Sequence, residues 1–402
     1  MDYTEKGVRE ALITIEERRL TLHYIAIQSL FLLSACSVNG FISYFLTHNG
    51  FDRLQVGLCI SSANLLSLLF QPYAAQFADR SVRFRLKHMV ALLASAAIFF
   101  ALILLVTPPK SVLFLPLYIL IIFLISIQVP LITGLATEHI SNGLRVNFSI
   151  ARGFGSIAFA VMSILIGTLS KDFGPKITLL GFASCGTVYV LSVLSFPQAQ
   201  KTSTQGFDVQ ALNILEFAWR NKRFMMAAFA MFFIYSSAAI ISSFLFQIVE
   251  DVRGDSSTLG KMLAMAASVE LISMLLYPYA RKLLGSNANV IKFSSAAFLV
   301  KAIFTWQAGS IGTLYFAQFL QFFSYGFFIP AQVYYVLRNI SKHDQVKGQM
   351  FMSFSTTLAV VFASLSGGYL IEHLGLRSTL LFGVGLTVVG LLILFIFLEP
   401  DR

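Results

Sequence analysis

The chain has 402 residues, of which 57% are hydrophobic and only 12% are charged. A soluble domain cannot bury that much apolar surface, so the composition excludes a soluble globular protein and predicts an integral membrane protein. The net charge of +10 does not indicate a nucleic-acid binder, because the basic residues fall in short connectors between apolar segments.

Twelve apolar segments follow one another, each near the ~20 residues that a helix needs to cross a bilayer. The first twenty residues carry charges of both signs and lead into a full-length span, so we expect no signal peptide. The sequence therefore predicts an all-α protein with twelve transmembrane helices, at 20–46, 54–78, 88–106, 112–138, 146–170, 177–196, 223–248, 258–280, 288–308, 310–337, 347–371 and 378–398.

The distribution of basic residues predicts the orientation of these spans. Of the 29 Lys and Arg residues, twenty lie on the side of the two termini, seven lie on the opposite side, and two lie inside spans. Basic residues accumulate on the cytoplasmic side of a membrane protein. We therefore expect a multi-pass protein of the cell membrane with both termini in the cytoplasm.

The chain divides near its middle. Residues 197–221 form the longest polar connector, which we expect to contain an interfacial helix capped by Asp208. Six spans lie on each side, so we predict two six-helix bundles at 1–196 and 222–402. A shift of 201 residues aligns several positions of the two halves, which indicates an internal duplication. The aligned pairs are Gly167 with Gly368, Leu169 with Leu370, Gly174 with Gly375 and Arg80 with Arg281.

Three charged residues lie deep inside spans: Arg152, Glu270 and Lys301. A charge at the bilayer centre costs about 2.5–3.5 kcal/mol on insertion scales, and such residues usually mark a substrate or ion pathway. The alternative interpretation is a structural salt bridge between Glu270 and Lys301, with Arg152 reaching a helix end. Both interpretations stay open at the level of the sequence.

Uncharged polar residues add weaker candidates. Gln318, Gln321 and Tyr325 recur on one face of the tenth predicted span, while Asn39 and Asn64 lie in the first two spans. Lipid does not satisfy such side chains, so they face protein or water. They either line a cavity or bond one helix to another.

Three segments carry a family resemblance. QFADRSVRFR at 76–85 resembles the acidic and basic signature of the major facilitator superfamily, although Ala75 and Val82 stand where glycines are usual. SLLFQP at 67–72 and NFSIARGFGSIAF at 147–159 resemble the branch that contains lactose, phenylpropionate and nucleoside permeases. The resemblance implies two pseudo-symmetric six-helix bundles in a bacterial cytoplasmic membrane, with a conformational gate at Asp79, Arg80 and Arg83.

The same resemblance assigns roles to single residues. It makes Arg152 the counterpart of a substrate-binding arginine, Phe159 that of a sugar-stacking tryptophan, and Glu270 and Lys301 those of an acidic and a basic residue. Gln321 stands where a histidine is usual. We therefore expect a substrate site containing Arg152, Phe159, Lys301, Gln321, Tyr325, Gln318, Asn39 and Asn64, with Glu270 coupling transport to protons.

These observations predict a secondary active transporter that takes up a small organic solute, coupled to protons, by alternating access. Two cations and one carboxylate leave a surplus positive charge, which favours an organic anion over a neutral sugar or nucleoside. The alternatives are an exporter or uncoupled facilitator, and a receptor or scaffold that no longer transports. We expect a monomer, no enzyme activity, no nucleic-acid partner, and neither a cofactor nor a metal site; the sequence holds no nucleotide-binding loop.

Overall fold

The computed structural model describes residues 2–80, 85–109, 111–142, 144–198, 214–341 and 344–401, which form α-helices joined by short connectors and contain no β-strand. The helices are α1 (Asp2–Asn39), α2 (Ile42–His48), α3 (Arg53–Arg80), α4 (Leu86–Val106), α5 (Phe114–Ser141), α6 (Phe148–Phe173), α7 (Lys176–Ser195), α8 (Ile214–Arg220), α9 (Lys222–Ser243), α10 (Leu245–Asp251), α11 (Ser256–Leu284), α12 (Asn287–Gln307), α13 (Ile311–Phe319), α14 (Tyr325–Asn339), α15 (Gln345–Leu374) and α16 (Leu376–Phe397).

Eleven helical segments in the described ranges are long and apolar enough to span a membrane. The tenth predicted span, 310–337, is absent from this set because it is not one helix. It consists of α13, a 3-10 turn at Leu320–Phe322 and α14, which together cover the length of a span. The predicted all-α fold is confirmed, and the broken tenth span accounts for the twelfth crossing.

The internal duplication is visible in the backbone. The first span breaks at Phe41, between α1 and α2, and the seventh breaks at Phe244, between α9 and α10. The two residues have nearly the same conformation, with φ −117° and ψ 16° at Phe41 and φ −115° and ψ 24° at Phe244. Gly174 and Gly375, which the sequence aligned, both have positive φ, 79° and 83°. The halves therefore share one backbone plan.

Each half has its own hydrophobic core. One core is formed almost entirely by residues from Leu20 to Phe196, and the second by residues from Phe217 to Leu398. A third cluster joins the halves, with Tyr44 and Met162 packed among residues such as Phe246. Since Tyr44 lies on α2 and Phe246 on α10, this joint lies at the end of the bundle opposite the termini, which we call the far end.

The halves approach most closely at the far end through two equivalent helix pairs, α3 with α15 and α6 with α11. A Cβ added at Gly368 would lie 2.6 Å from the carbonyl oxygen of Arg53, and one added at Gly167 would lie 2.6 Å from that of Ser256. Only glycine allows backbones to pack this closely. Arg53 and Ser256 are the first residues of α3 and α11, so this tight packing belongs to the far end.

A salt bridge reinforces the far-end contact. Lys171, at the end of α6, lies 3.1 Å from the carboxylate of Asp255, which caps α11. Burial alone raises the pKa of Asp255, but the hydrogen bond from the Thr258 N–H and the Lys171 ammonium outweigh it and lower the pKa to about 2. Asp255 is therefore ionised throughout the physiological pH range.

Candidate functional site

Two of the three deep charges are joined through an uncharged side chain. Lys301, only 6% exposed, donates a hydrogen bond from Nζ to Oε1 of Gln321. The amide of Gln321 in turn donates from Nε2 to Oε2 of Glu270, at 3.4 Å. Among the described residues, Glu270 and Lys301 form no direct ion pair. In place of the alternative structural salt bridge, the structure has a chain, Lys301 to Gln321 to Glu270, in which the carboxamide separates the two charges.

The break in the tenth span positions this carboxamide. Gln321 lies in the 3-10 turn between α13 and α14, and Ser324, with φ −84° and ψ −92°, precedes the first residue of α14. Gly326, the second residue of α14, packs against Ser273 of α11 with no room for a Cβ. The Ser273 hydroxyl donates to the carbonyl oxygen of Glu270, at 2.8 Å. The close crossing of α11 and α14 thus fixes Glu270 beside Gln321.

Aromatic side chains form the next layer around the chain. The ring of Tyr325 lies 4.8 Å from that of Phe298 and 5.7 Å from that of Tyr235. Tyr235 donates from its hydroxyl to Oε1 of Gln332, at 3.3 Å, and both tyrosines interact electrostatically with Glu270. Tyr325 was predicted at this site. Tyr235 was missed, because a single tyrosine among the apolar residues of a span carries no pattern.

The third charge faces this group from the other half. Arg152 is an exposed residue of α6 and interacts electrostatically with Glu270, as Lys301 does. It also interacts with Tyr24 of α1, whose hydroxyl accepts a hydrogen bond from Nε2 of Gln28, at 3.0 Å. Tyr24 was not predicted as a site residue. Glu270 therefore lies within electrostatic range of Lys301 in its own half and of Arg152 in the other half.

Other predicted site residues lie outside this group. Phe159 is half-buried, and its carbonyl oxygen accepts from Sγ of Cys36 at 3.5 Å. Asn39 ends α1 and is exposed, whereas Asn64 donates back to Ile60 of its own helix at 2.8 Å. Gln318 is buried near the end of α13. The structure does not join these four to the charged chain, and their role in substrate binding stays a prediction.

The predicted gate is only partly covered by the structure. Asp79 and Arg80 are the last two residues of α3, but their side chains lie outside the described part of the chain, as Arg83 does entirely. Asp208, the expected cap of the interfacial helix, also lies outside it, although the short helix α8 follows at Ile214–Arg220. Within the described ranges, no group of three or more His, Cys, Asp and Glu residues is arranged to hold a metal ion.

Comparison with known proteins identifies the fold that carries this site. A family model, the MFS_1 like family, matches residues 24–382. The chain belongs to this family of major facilitator superfamily transporters. It is 24% identical over 385 residues to the uncharacterized transporter YwbF of Bacillus subtilis, with 92% of each chain covered. It is 23% identical to the maltose permease of Geobacillus stearothermophilus, with 86% of each chain covered.

Solved structures agree with the family. The nucleoside transporter NupG matches with a TM-score of 0.78 at 17% identity, covering 94% of this chain and 99% of that one. A peptide transporter of the POT family matches with a TM-score of 0.72 at 13% identity, with 94% and 96% covered. At these identities the likeness establishes the fold alone. The family member described here is a multi-pass membrane transport protein and not an enzyme.

Proposed function

We propose that this protein is a secondary active transporter that moves a small organic solute by alternating access. Two bundles, 1–196 and 222–402, rock about a central site and are joined by the linker 197–221. The observation that carries the proposal is the chain from Lys301 through Gln321 to Glu270 inside the spans, together with the opposing Arg152. Charged side chains that are held by a carboxamide rather than by one another are free to respond to a ligand.

Electrostatics supplies a mechanism for proton coupling. With Glu270 ionised, Arg152, Lys301 and Glu270 carry a formal charge of +1 in total. A proton on Glu270 raises that charge to +2, which strengthens the attraction of the site for an anion. By linkage, a bound anion favours the bound proton by the same factor. Proton and anionic substrate therefore enter together, which is the requirement for symport.

We propose that different residues of the site contact different parts of the substrate. Arg152 offers a planar fork that suits a carboxylate, whereas Lys301 offers a point charge. Tyr325 offers an aromatic face for an apolar or ring-shaped part of the substrate, and we propose Phe159, outside this group, as a second such face. An organic anion is the class that this arrangement favours. The names of the relatives, a maltose permease and a nucleoside transporter, make a neutral sugar or nucleoside the second candidate.

The orientation of the protein completes the proposal. The excess of basic residues on the side of the termini places both termini in the cytoplasm of a bacterial cell. In the structure the halves are packed tightly at the far end, which is then the outer end. The structure would correspond to a state closed to the outside, and uptake would finish with release into the cytoplasm. We propose that each monomer carries out this cycle alone.

Uptake by purified protein in liposomes tests the mechanism. Accumulation of a radiolabelled organic acid that requires an inwardly directed proton gradient is the expected result. Equilibration without accumulation would instead identify an uncoupled facilitator. Accumulation driven by an outwardly directed proton gradient would identify a proton antiporter, as expected of an exporter. Binding without any transport would identify a receptor or scaffold.

A ligand screen tests the substrate class. Ligands that bind the folded protein raise its thermal stability, so carboxylates, sugars and nucleosides of similar size are compared by the shift in melting temperature. We expect the carboxylates to give the largest shifts, and the shifts to grow as the pH falls. If a neutral ligand binds tightly and carboxylates do not compete, the argument from surplus charge is wrong, and the sugar or nucleoside alternative replaces it.

A further inference from the structure

A groove on the N-terminal half is separate from the central site. It lies between α1 and the start of α6, at the end of the bundle where the termini lie. This open groove has a volume of about 890 Å³. Its walls include Leu22, Ile25, Ile150 and Phe154, and its rim carries Arg18 and Arg145. The apolar segments that include these two helices begin at Glu16 and Ile150. The groove therefore lies at the boundary between the bilayer and water.

The groove faces away from the substrate site. Ile150 and Phe154 are four residues apart on α6 and share one face of the helix. Arg152, midway between them, projects from the opposite face, where it interacts with Glu270. Ile150 is 47% exposed and Phe154 is 52% exposed. In a membrane protein, apolar side chains exposed on the outer side of a helix contact lipid.

Among the described residues, three hydrogen bonds occupy polar groups of the groove, and none of them uses the side chain of Arg18 or Arg145. Glu17 accepts a hydrogen bond from the backbone N–H of Arg145 at 2.9 Å, and Thr21 accepts one from that of Asn147 at 3.3 Å. Asn147 caps α6 by accepting from the Ile150 N–H, at 3.1 Å. No salt bridge to the guanidinium of Arg18 or Arg145 occurs among the described residues. With Glu17 counted, the rim keeps a formal charge of +1.

We propose that this groove binds an anionic phospholipid, with its phosphate between Arg18 and Arg145 and its acyl chains against Leu22, Ile25, Ile150 and Phe154. The argument rests on complementarity: a cationic rim at headgroup depth lies above an apolar wall at acyl depth. Basic pockets between helices near the cytoplasmic boundary suit anionic headgroups, and one Lys or Arg near the surface contributes about a fivefold preference for anionic lipid. A water-soluble phosphate would leave the apolar wall unused.

Native mass spectrometry of the delipidated protein in detergent tests the proposal. The protein is titrated with phosphatidylglycerol and, separately, with phosphatidylcholine of the same acyl chains. We expect the wild type to bind phosphatidylglycerol at least about fivefold more tightly than phosphatidylcholine. The double variant Arg18→Gln/Arg145→Gln should lose that preference. The matched control Arg19→Gln/Arg220→Gln, which removes two exposed arginines outside the groove, should keep it.

Two further measurements separate the proposal from its rivals. Phe154→Ala should weaken retention of both lipids, because it removes apolar wall and no charge. Glycerol phosphate, which has the headgroup chemistry without acyl chains, should not displace bound phosphatidylglycerol. The proposal is overturned if the Arg18 and Arg145 variant keeps its preference while folded by circular dichroism, if the control loses the preference equally, or if glycerol phosphate competes as well as the lipid.

Discussion

The two halves of this transporter share a backbone plan but differ in chemistry. Within α3 and α11 a shift of 203 residues aligns Gly57 with Gly260 and places Ser67 at the position of Glu270. The hydroxyl of Ser67 donates to the carbonyl oxygen of Ala63 in its own helix. The helices α4 and α12 have the same length, and Phe100 stands in α4 where α12 has Lys301. The C-terminal half thus holds two of the three deep charges at positions where the N-terminal half holds none.

The N-terminal half contributes its single charge from a different helix. Arg152 of α6 aligns with Ser353 of α15, so that charge also lacks a symmetric partner. The tenth span is broken at Gln321, whereas the fourth span, α5, is one continuous helix. Symmetry therefore accounts for the far-end contacts between the halves, and departures from symmetry account for the polar site. Four sets of variants test this distinction.

The largest expected effect belongs to Glu270, the only carboxylate deep in a span. Glu270→Gln keeps the shape and can still accept from Gln321, but it cannot gain and lose a proton. We expect proton-driven accumulation to fall to its equilibrium value, while exchange of substrate between the two sides of the vesicle continues. Glu250→Gln, an exposed far-end residue of the same half, is the control. Uphill transport that survives in Glu270→Gln would remove this residue from proton coupling.

The next effect concerns Arg152, the charge on α6, which is the symmetric counterpart of α15. Arg152→Lys keeps the charge but loses the planar fork, so a bidentate contact with a carboxylate is lost. We expect affinity for the substrate to fall about tenfold to about a hundredfold, with unchanged expression and thermal stability. Arg220→Lys, at an exposed position on α8, serves as the control. Near-normal affinity in the Lys variant would make Arg152 structural.

The far-end contact should respond to a single methyl group in either half. A Cβ added at Gly260 meets the carbonyl oxygen of Ser163, and one added at Gly57 meets that of Ser364. Overpacking of this kind costs about 1–3 kcal/mol, so Gly260→Ala and Gly57→Ala should each shift the population toward a state open at the far end by about fivefold to about a hundredfold. Spin labels at Phe173 of α6 and Lys261 of α11, two exposed residues outside the Lys171–Asp255 bridge, measure this opening as a longer distance.

The helical glycine Gly385, which has open space at its Cβ position, gives the matched control Gly385→Ala. If Gly57→Ala opens the far end and Gly260→Ala does not, the two helix pairs are not equivalent, and the symmetric description of the contact fails. If neither variant changes the distance, the close glycine packing does not hold the far end shut.

The smallest effect is expected from the Lys171–Asp255 bridge. The folded pKa of Asp255, about 2, lies below its usual value near 4. Its contribution to stability is therefore fully present above about pH 4 and is lost as the pH falls toward 2. Transport between about pH 5 and about pH 8 should keep the same pH profile in Asp255→Asn as in the wild type. A changed profile would mean that proton dependence does not belong to the central site alone.

Much of this architecture could be predicted from the sequence, because lipid imposes local rules. Apolar segments long enough to cross a bilayer had to be helices. The offset of 201 residues, seen at Gly174 and Gly375, predicted the duplication, and the backbone at these two glycines agrees with it. Arg152, Glu270 and Lys301 could be selected as candidate site residues because a charge deep inside a span is costly wherever it occurs. The family resemblance added the order of the spans and the interpretation of Gln321 as a site residue.

The sequence determined the helices, their approximate ends, the two halves and the three charges, since hydropathy and residue spacing are properties of short segments. Tertiary structure decided that the Gln321 amide lies between Lys301 and Glu270, that Tyr24 and Tyr235 join the site, and that the tenth span is broken. The physical reason is that helical periodicity gives the direction of a side chain and not its distance from another helix. That distance depends on how closely α11 and α14 cross, which the contact of Gly326 with Ser273 sets.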